Sequence, residues 1–186
     1  MRKVVVRIFD YSLDGAISEE DTDFFQYCRD LPDDPEQLAR TLSFYQRADV
    51  HIMGRAHYLG MAQYFPTAVD HPYAAVLNAA PKVVFTSTLQ TASLSNTTIN
   101  SGDLAEEIEK LRQDGTGDIV AHGGVSFWQS LMRLDLIDEY RLTVFPCLAG
   151  NGRRLFNDLE KPRPLDLLSS TAFGNGTVEL AYRPQR

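Results

Sequence analysis

A strand that turns at two glycines into a helix is predicted by the stretch Ile119-Val120-Ala121-His122-Gly123-Gly124-Val125-Ser126-Phe127-Trp128. Glycines let the backbone approach a phosphate closely, and the free N–H groups at a helix start point towards such a ligand. The helix dipole adds a field of about half an elementary charge. The same spacing also suits a tight structural turn that binds nothing. The pattern is not G-x-G-x-x-G and lacks an acidic residue at the ribose position, which disfavours a Rossmann domain.

The chain around this stretch alternates between strands and helices. β-Branched and apolar runs predict strands at residues 4–9, 49–53, 82–85, 118–121 and 139–145. Caps and apolar stripes predict helices that begin at Asp34-Pro35 and at Asp103, a helix at 126–134, and a short helix or ordered loop at 19–28. A terminal hairpin turns at Gly174-Asn175-Gly176. This order predicts an α/β sandwich with a mixed sheet. Because no repeat, low-complexity tract or Gly/Ser linker interrupts it, we expect residues 1–186 to form a single domain.

The composition narrows the class of protein. With 44% hydrophobic and 23% charged residues, it is that of an ordinary globular protein. A net charge of −7 argues against a nucleic-acid-binding surface, which is normally basic. No apolar run approaches the roughly 18 residues of a membrane span, and the N-terminal run predicts a first strand rather than a signal peptide. Cys28 and Cys147 form no C-x-x-C pair, so we expect a reducing cytoplasm and no disulfide framework.

Two more segments place polar side chains just after predicted strands. Met53-Gly54-Arg55-Ala56-His57-Tyr58 puts an arginine where α/β sheets bind ligands, and the planar guanidinium suits a phosphate monoester such as the 2′-phosphate of NADPH. A solvated arginine followed by a helix-start histidine explains the segment equally well. Phe85-Thr86-Ser87-Thr88 offers three hydroxyls, which could bind a phosphate; taken alone, they more simply cap the next turn.

Read in order, these segments resemble the dihydrofolate-reductase-like superfamily, and most closely the riboflavin-biosynthesis reductase (RibD C-terminal) domain family. The matching pieces extend along nearly the whole chain, and they are Ser12-Leu13-Asp14-Gly15, Met53-Gly54-Arg55, Val84-Phe85-Thr86-Ser87-Thr88, Gly123-Gly124, Pro146-Cys147-Leu148-Ala149-Gly150-Asn151-Gly152 and Leu155-Phe156. The resemblance implies a three-layer α/β/α sandwich with a central, mainly parallel sheet and a C-terminal antiparallel hairpin. It also implies hydride transfer from NADPH to a pterin or ribosylaminopyrimidine-type substrate, and a homodimer.

The resemblance further implies where the cofactor binds. Residues 12–15, with Asp10 and Ile17 nearby, would form the loop over the nicotinamide. The pyrophosphate and the 2′-phosphate would lie at Gly54 and Arg55. The adenosine end would contact Thr86, Ser87 and Thr88. The helix start would bind the pyrophosphate through Gly123, Gly124, Val125 and Ser126.

The substrate half of the site is less defined. Dihydrofolate reductases carry one acidic side chain on an early helix, and here Glu19, Glu20, Asp21 and Asp23 occupy that stretch. Asp23 is the catalytic candidate, because Phe24-Phe25 would orient it towards an apolar pocket, where desolvation would raise its pKa. Alternatively, all four acids form a solvated helix start.

The remaining residues offer few other chemical groups. A ribose phosphate would need a second basic cluster, for which only Arg153-Arg154 is available, although these arginines better suit loop support or a dimer contact. The histidines lack the close spacing of metal ligands, and the H-x-E and C-x-x-C elements of a zinc deaminase are absent. We therefore expect no metal site. Two hypotheses stay open: an NADPH-dependent reductase, and a non-catalytic NADP-binding module of the same fold.

Overall fold

The computed structural model describes residues 1–20, 22–157 and 159–185. Its strands are β1 (Val4–Ser12), β2 (Ala16–Ile17), β3 (Ala48–Gly54), β4 (Lys82–Phe85), β5 (Thr97–Asn100), β6 (Asp118–Gly123), β7 (Glu139–Phe145), β8 (Arg153–Arg154), β9 (Leu165–Ala172) and β10 (Val178–Pro184). Its helices are α1 (Asp23–Asp30), α2 (Pro35–Gln46), α3 (Arg55–Tyr64), α4 (Ala74–Ala79), α5 (Leu104–Gln113) and α6 (Val125–Arg133).

The strands form one mixed sheet in the order β5-β4-β3-β6-β1-β7-β10-β9, with β2 and β8 paired beside the end of β1. Parallel pairs join β4, β3, β6, β1 and β7, whereas β10 runs antiparallel to both β7 and β9. The predicted fold class, a mainly parallel sheet that ends in an antiparallel hairpin, is therefore confirmed. The hairpin closes where predicted, with the Gly176 amide donating to Phe173 O over 3.0 Å.

Helices cover both faces of the sheet and bury two separate cores. On one face, α5 and α6 pack Ile108 and Leu131 against β-branched residues of the central strands. On the other face, α2, α3 and α4 contribute Tyr45, Met61 and Leu77. Because the parallel strands are buried on both faces, their sequences are nearly continuous apolar runs, which is how they could be recognised.

Side-chain caps explain where the predicted helices begin. The carboxylate of Asp34 accepts from the Gln37 amide over 3.0 Å, and the carboxylate of Asp103 accepts from the Ala105 and Glu106 amides. The hydroxyl of Thr22 caps α1 in the same way, so the segment for which the sequence predicts a short helix or an ordered loop contains the helix Asp23–Asp30. These caps satisfy amides that have no partner within their own helix.

The elements that the sequence did not predict lack such signals. Gly54 precedes α3 without a side-chain cap, and α4 is only six residues long. Strand β5 is polar and lies at one edge of the sheet. Strand β9, the first strand of the predicted hairpin, lies at the other edge and exposes Leu165, Leu167 and Leu168. Across the described ranges, no helix combines the length and apolarity needed to cross a bilayer.

Candidate active site

The carboxyl ends of the central parallel strands bring the predicted cofactor segments together. Met53 at the end of β3 pairs in register with Gly123 at the end of β6. A Cβ atom added to Gly54 would lie 3.2 Å from Phe127 Cβ and 4.0 Å from Gly123 O. The starts of α3 and α6 therefore lie side by side at this edge, which is where α/β sheets bind ligands.

The glycine turn leaves open space in front of α6. The Gly123-Gly124 peptide is cis, and Gly123 has a φ of +134°. A Cβ on Gly123 would approach both His57 Nδ1 and Trp128 to 3.3 Å, whereas a Cβ on Gly124 would meet no atom within 4 Å. The first amides that donate within the helix are those of Phe127 and Trp128, both to Gly124 O. The amides before Phe127 therefore have no partner within the helix, and the space at Gly124 is open, which are two conditions for binding an anion.

Two arginines stand near these helix starts. Arg55 is the exposed first residue of α3, and no hydrogen bond or ion pair engages it within the described part of the chain. Arg153 donates to Ser126 Oγ over 2.8 Å and approaches Glu19 to 3.7 Å. The sequence favoured loop support or a dimer contact for Arg153 over a role in binding a ribose phosphate. Its position beside Ser126 depends on the pairing of β8 with β2, which no local sequence motif predicts.

The hydroxyls after β4 have a turn-capping role in this structure. Thr86 Oγ1 accepts from the amides of Thr88 and Leu89, each over 3.2 Å. Ser87 and Thr88 are exposed. The capping interpretation of Thr86 is therefore correct, and contact with adenosine by this segment stays a prediction.

The loop predicted to cover the nicotinamide is tied to the glycine-rich loop after β7. Ser12 Oγ donates to Asp14 over 2.6 Å, and the Asp14 carboxylate accepts from the amides of Ala149 and Gly150, each over 2.9 Å. Arg154 donates to Asp14 O and forms an ion pair with its carboxylate. The hydrogen bond from Ser12, together with those amides, lowers the pKa of Asp14 to about 2. These contacts join the two loops, and Ile17, three residues after Asp14, is buried.

An aromatic cavity of about 430 Å³ opens next to the end of β1. Six aromatic side chains line it, and they are Phe9, Phe25, Tyr45, Phe65, Tyr73 and Phe145. Its volume lies within the range of small-molecule sites, about 300–1,000 Å³. A larger and more open cleft, of about 1130 Å³, lies between α1 and α3 and shares Phe25, Phe65 and three other lining residues with the cavity.

Asp10 supplies a carboxylate to this cavity. It lies near the end of β1, is half-buried, and accepts from Ser18 Oγ over 2.7 Å. Burial raises its pKa, while the Ser18 hydrogen bond and the charges of Arg29 and Arg7 act in the opposite direction. The sequence placed Asp10 near the nicotinamide but gave no sign of its burial.

Asp23, in contrast, is exposed in the first turn of α1 and lines the open cleft. The burial expected for it is wrong, because Phe24 turns inward to meet Phe145 edge-to-face at 6.4 Å and leaves Asp23 on the solvent side. Glu19 and Glu20 are exposed as well, which agrees with a solvated helix start. Asp21 lies outside the described residues.

Histidines that are distant in sequence meet beside the glycine turn. His51 Nδ1 and His122 Nε2 are 2.5 Å apart, and the His57 ring stacks on the His122 ring at 6.1 Å. Two nitrogens on one tetrahedral zinc would be about 3.3 Å apart, given bonds of 2.0–2.1 Å. Among the described residues, no group of three histidine, cysteine or acidic side chains is arranged to hold a metal ion.

Comparisons with known proteins match this architecture. The family model for the RibD C-terminal domain matches residues 2–179. The chain belongs to the RibD C-terminal domain family. A relative in this comparison is the uncharacterized protein YwjB of Bacillus subtilis (strain 168), which is 30% identical over 98% of both chains.

Solved structures agree with the RibD C-terminal assignment. A candidate riboflavin biosynthesis protein from Shewanella sp. PV-4 superposes with a TM-score of 0.80 at 26% identity, over 99% of each chain. Dihydrofolate reductase from Enterococcus faecalis, in complex with NADP(H) and RAB-propyl, gives a TM-score of 0.64 at 14% identity, over 99% of this chain and 97% of that one. The RibD-like and dihydrofolate-reductase-like character expected from the sequence is thereby confirmed for the fold.

Proposed function

We propose that this chain is an NADPH-dependent reductase that transfers hydride to a pterin or a ribosylaminopyrimidine-type substrate, as in the riboflavin pathway. The observation that carries the proposal is the junction of two features at one sheet edge. An open helix start at Gly124 lies beside an aromatic cavity that contains the carboxylate of Asp10. A dinucleotide and the flat ring that it reduces would have to meet at such a junction.

The residues at the helix starts suit the cofactor. The empty space over Gly124 and the amides of Val125 and Ser126 would hold the pyrophosphate. The exposed guanidinium of Arg55 would contact the 2′-phosphate, and Arg153 would add positive charge beside Ser126. When bound, NADPH supplies the hydride.

Asp10 is the proton donor in this proposal, in place of Asp23. Reduction of a C=N bond requires a proton at nitrogen, and a carboxyl group whose pKa is raised by burial keeps its proton closer to neutral pH. The aromatic walls hold the ring in a fixed orientation and exclude water, so that most of the rate enhancement comes from positioning.

Cofactor binding is tested first, by thermal-shift titration with NADPH, NADH and flavin. A ligand that binds the folded state raises the apparent stability by mass action, and we expect the largest shift with NADPH. Turnover is then measured as loss of NADPH absorbance with dihydrofolate or with 5-amino-6-(5-phosphoribosylamino)uracil. A larger shift with flavin than with NADPH would overturn the cofactor assignment.

The role of Asp10 is tested against Asp23 as the matched control. Asp10→Asn should lower kcat by about 10²–10⁴-fold, the usual contribution of a general acid, with NADPH affinity retained. Asp23→Asn should leave kcat unchanged, because that carboxylate is exposed. Equal losses in the two variants would remove Asp10 from the mechanism.

A non-catalytic NADP-binding module of the same fold is the alternative. Sparse catalytic side chains favour it, since Asp10 is the single carboxylate proposed to act. NADPH binding without oxidation across a broad panel of pterins and aminopyrimidines would support this alternative over the reductase.

The homodimer and the reducing cytoplasm also stay predictions. Light scattering of the purified chain tests the homodimer. A reducing cytoplasm predicts that Cys28 and Cys147, which form no disulfide in this structure, both react with a thiol reagent after isolation under non-reducing conditions and unfolding in denaturant. Denaturant is needed because burial raises the pKa of the Cys28 thiol in the folded protein.

A further inference from the structure

The buried pair of His51 and His122 lies between neighbouring strands on the cavity side of the sheet. His51 is 1% exposed and His122 is 8% exposed. The register between β3 and β6 shifts here, because Ile52 pairs with Ala121 while Met53 pairs with Gly123. His122 is thus the extra residue of a bulge, and bulges re-aim side chains next to active sites.

The environment keeps both imidazoles neutral. Burial lowers the pKa of His51 to about 4, and Lys82 adds to the effect. Burial also lowers the pKa of His122, with further contributions from His51, His57, Arg7 and Lys82. Tyr45 of α2 stacks on the His122 ring at 5.0 Å. A hydrogen bond between two neutral imidazoles uses one N–H donor and one nitrogen lone pair.

The surroundings of His51 indicate which ring donates. His51 Nε2 is buried and meets no hydrogen-bond partner in the described part of the chain. A proton on Nε2 would be an orphaned buried donor, which proteins avoid more strongly than an unused acceptor. The proton of His51 therefore belongs on Nδ1, from which it is donated to His122 Nε2. His122 then carries its own proton on Nδ1.

His122 also lines the aromatic cavity, and its Nδ1 is the nitrogen that the pair leaves unused. We propose that His51 is a positioning residue that fixes His122 as a neutral Nδ1–H donor, and that this donor recognises a carbonyl oxygen or an unprotonated ring nitrogen of the substrate. The proposal rests on the proposed function for the identity of the cavity as the substrate site. A substrate ring would accept a hydrogen bond from His122 Nδ1 and present the nitrogen that receives a proton to Asp10. Its polar atoms would thus be recognised by two different side chains.

The protonation pattern is tested by nitrogen NMR of the histidine side chains in the wild-type protein. We expect His122 as the Nδ1–H form and His51 as the Nδ1–H form, both neutral between about pH 5 and pH 8. A proton on His122 Nε2, or a charged His122 at neutral pH, would overturn the proposal. This measurement needs no activity, so it is independent of whether the chain proves to be a reductase.

Two variants of His51 separate positioning from packing. His51→Asn supplies an N–H near the position of Nδ1, and we expect the Nδ1–H form of His122 to persist. His51→Leu removes the donor, so the proton of His122 should redistribute towards Nε2. With dihydrofolate as the probe, His51→Leu should raise KM about tenfold, the value of one hydrogen bond, whereas His51→Asn stays within about twofold of wild type. Identical KM values for the two variants would refute the donor role, and the NADPH thermal shift verifies that each variant is folded.

Discussion

Replacing Glu179 by glutamine should destabilise this protein strongly, because its carboxylate pairs with a buried arginine. Arg7 Nη2 lies 3.2 Å from Glu179 Oε2, and the two side chains are 1% and 7% exposed. Arg7 also lies over the Phe9 ring at 4.5 Å, and Phe9 lines the aromatic cavity. Burial lowers the pKa of Arg7, whereas the charge of Glu179 raises it. The carboxylate therefore offsets part of the free-energy cost of burying the charged guanidinium.

The magnitude follows from the distance and the burial. At 3.2 Å, with an effective dielectric constant of about 20, the attraction is about 5 kcal/mol. Removal of one partner from a buried pair typically costs about 3–5 kcal/mol, because the other charge stays buried. For a chain of this length, that corresponds to a fall in Tm of roughly 6–20 °C. Arg141, which lies 3.7 Å from Glu179, would lose part of its compensation as well.

Denaturant unfolding provides the assay, with a matched pair as control. Asp166 and Arg183 are 3.0 Å apart but are 39% and 61% exposed, so Asp166→Asn should change stability much less. A double variant, Arg7→Met with Glu179→Leu, should recover most of the stability, because a buried pair can be replaced by apolar groups. If Glu179→Gln costs no more than Asp166→Asn, burial does not govern this ion pair and the reasoning is refuted.

Three other predictions concern the cofactor half of the site. Arg55→Ala should weaken NADPH by roughly 10–100-fold, the value of a charge-assisted hydrogen bond, and leave NADH unaffected; equal losses for both cofactors would remove the 2′-phosphate contact. Gly124→Val should abolish the NADPH thermal shift with little change in the Tm of the free protein, since no atom lies within 4 Å of a Cβ there; unchanged NADPH affinity would make the turn purely structural. Because the pKa of Asp14 is lowered to about 2, its stabilisation is present above its ordinary pKa and is lost as the pH falls towards about 2. The free energy of unfolding at about pH 7 and that at about pH 3 should therefore differ less for Asp14→Asn than for wild type. An identical pH dependence in the two proteins would contradict a stabilising role for the Asp14 carboxylate.

Features governed by neighbours in the sequence could be predicted. The caps at Asp34 and Asp103 involve amides two or three residues away, and the glycine turn lies within one strand–helix connection. The sheet class followed from strands that are apolar throughout. Helix α3 could not be predicted because Gly54 offers no capping side chain, and because the only residues of α3 that the described structure buries are Tyr58 and Met61.

Features governed by tertiary contacts could not be predicted. The sequence offers four carboxylates between residues 19 and 23, whereas the structure places Asp10 of β1 at the cavity, whose aromatic rings come from several other elements. His51 and His122 are 71 residues apart and meet through a bulge that no local pattern reveals. Arg153 reaches Ser126 only because β8 pairs with β2.

The shared wall between the cavity and the open cleft affects how selective the protein can be. Phe25, His57, Met61 and Phe65 each line both spaces. Because the two spaces adjoin along these side chains, we expect a molecule whose ring occupies the cavity to extend a bulky tail towards the cleft. We therefore expect the protein to discriminate strictly between rings and weakly between tails. Analogues that differ only in a long substituent should compete for the same site, and inhibitors can be varied most freely at that substituent.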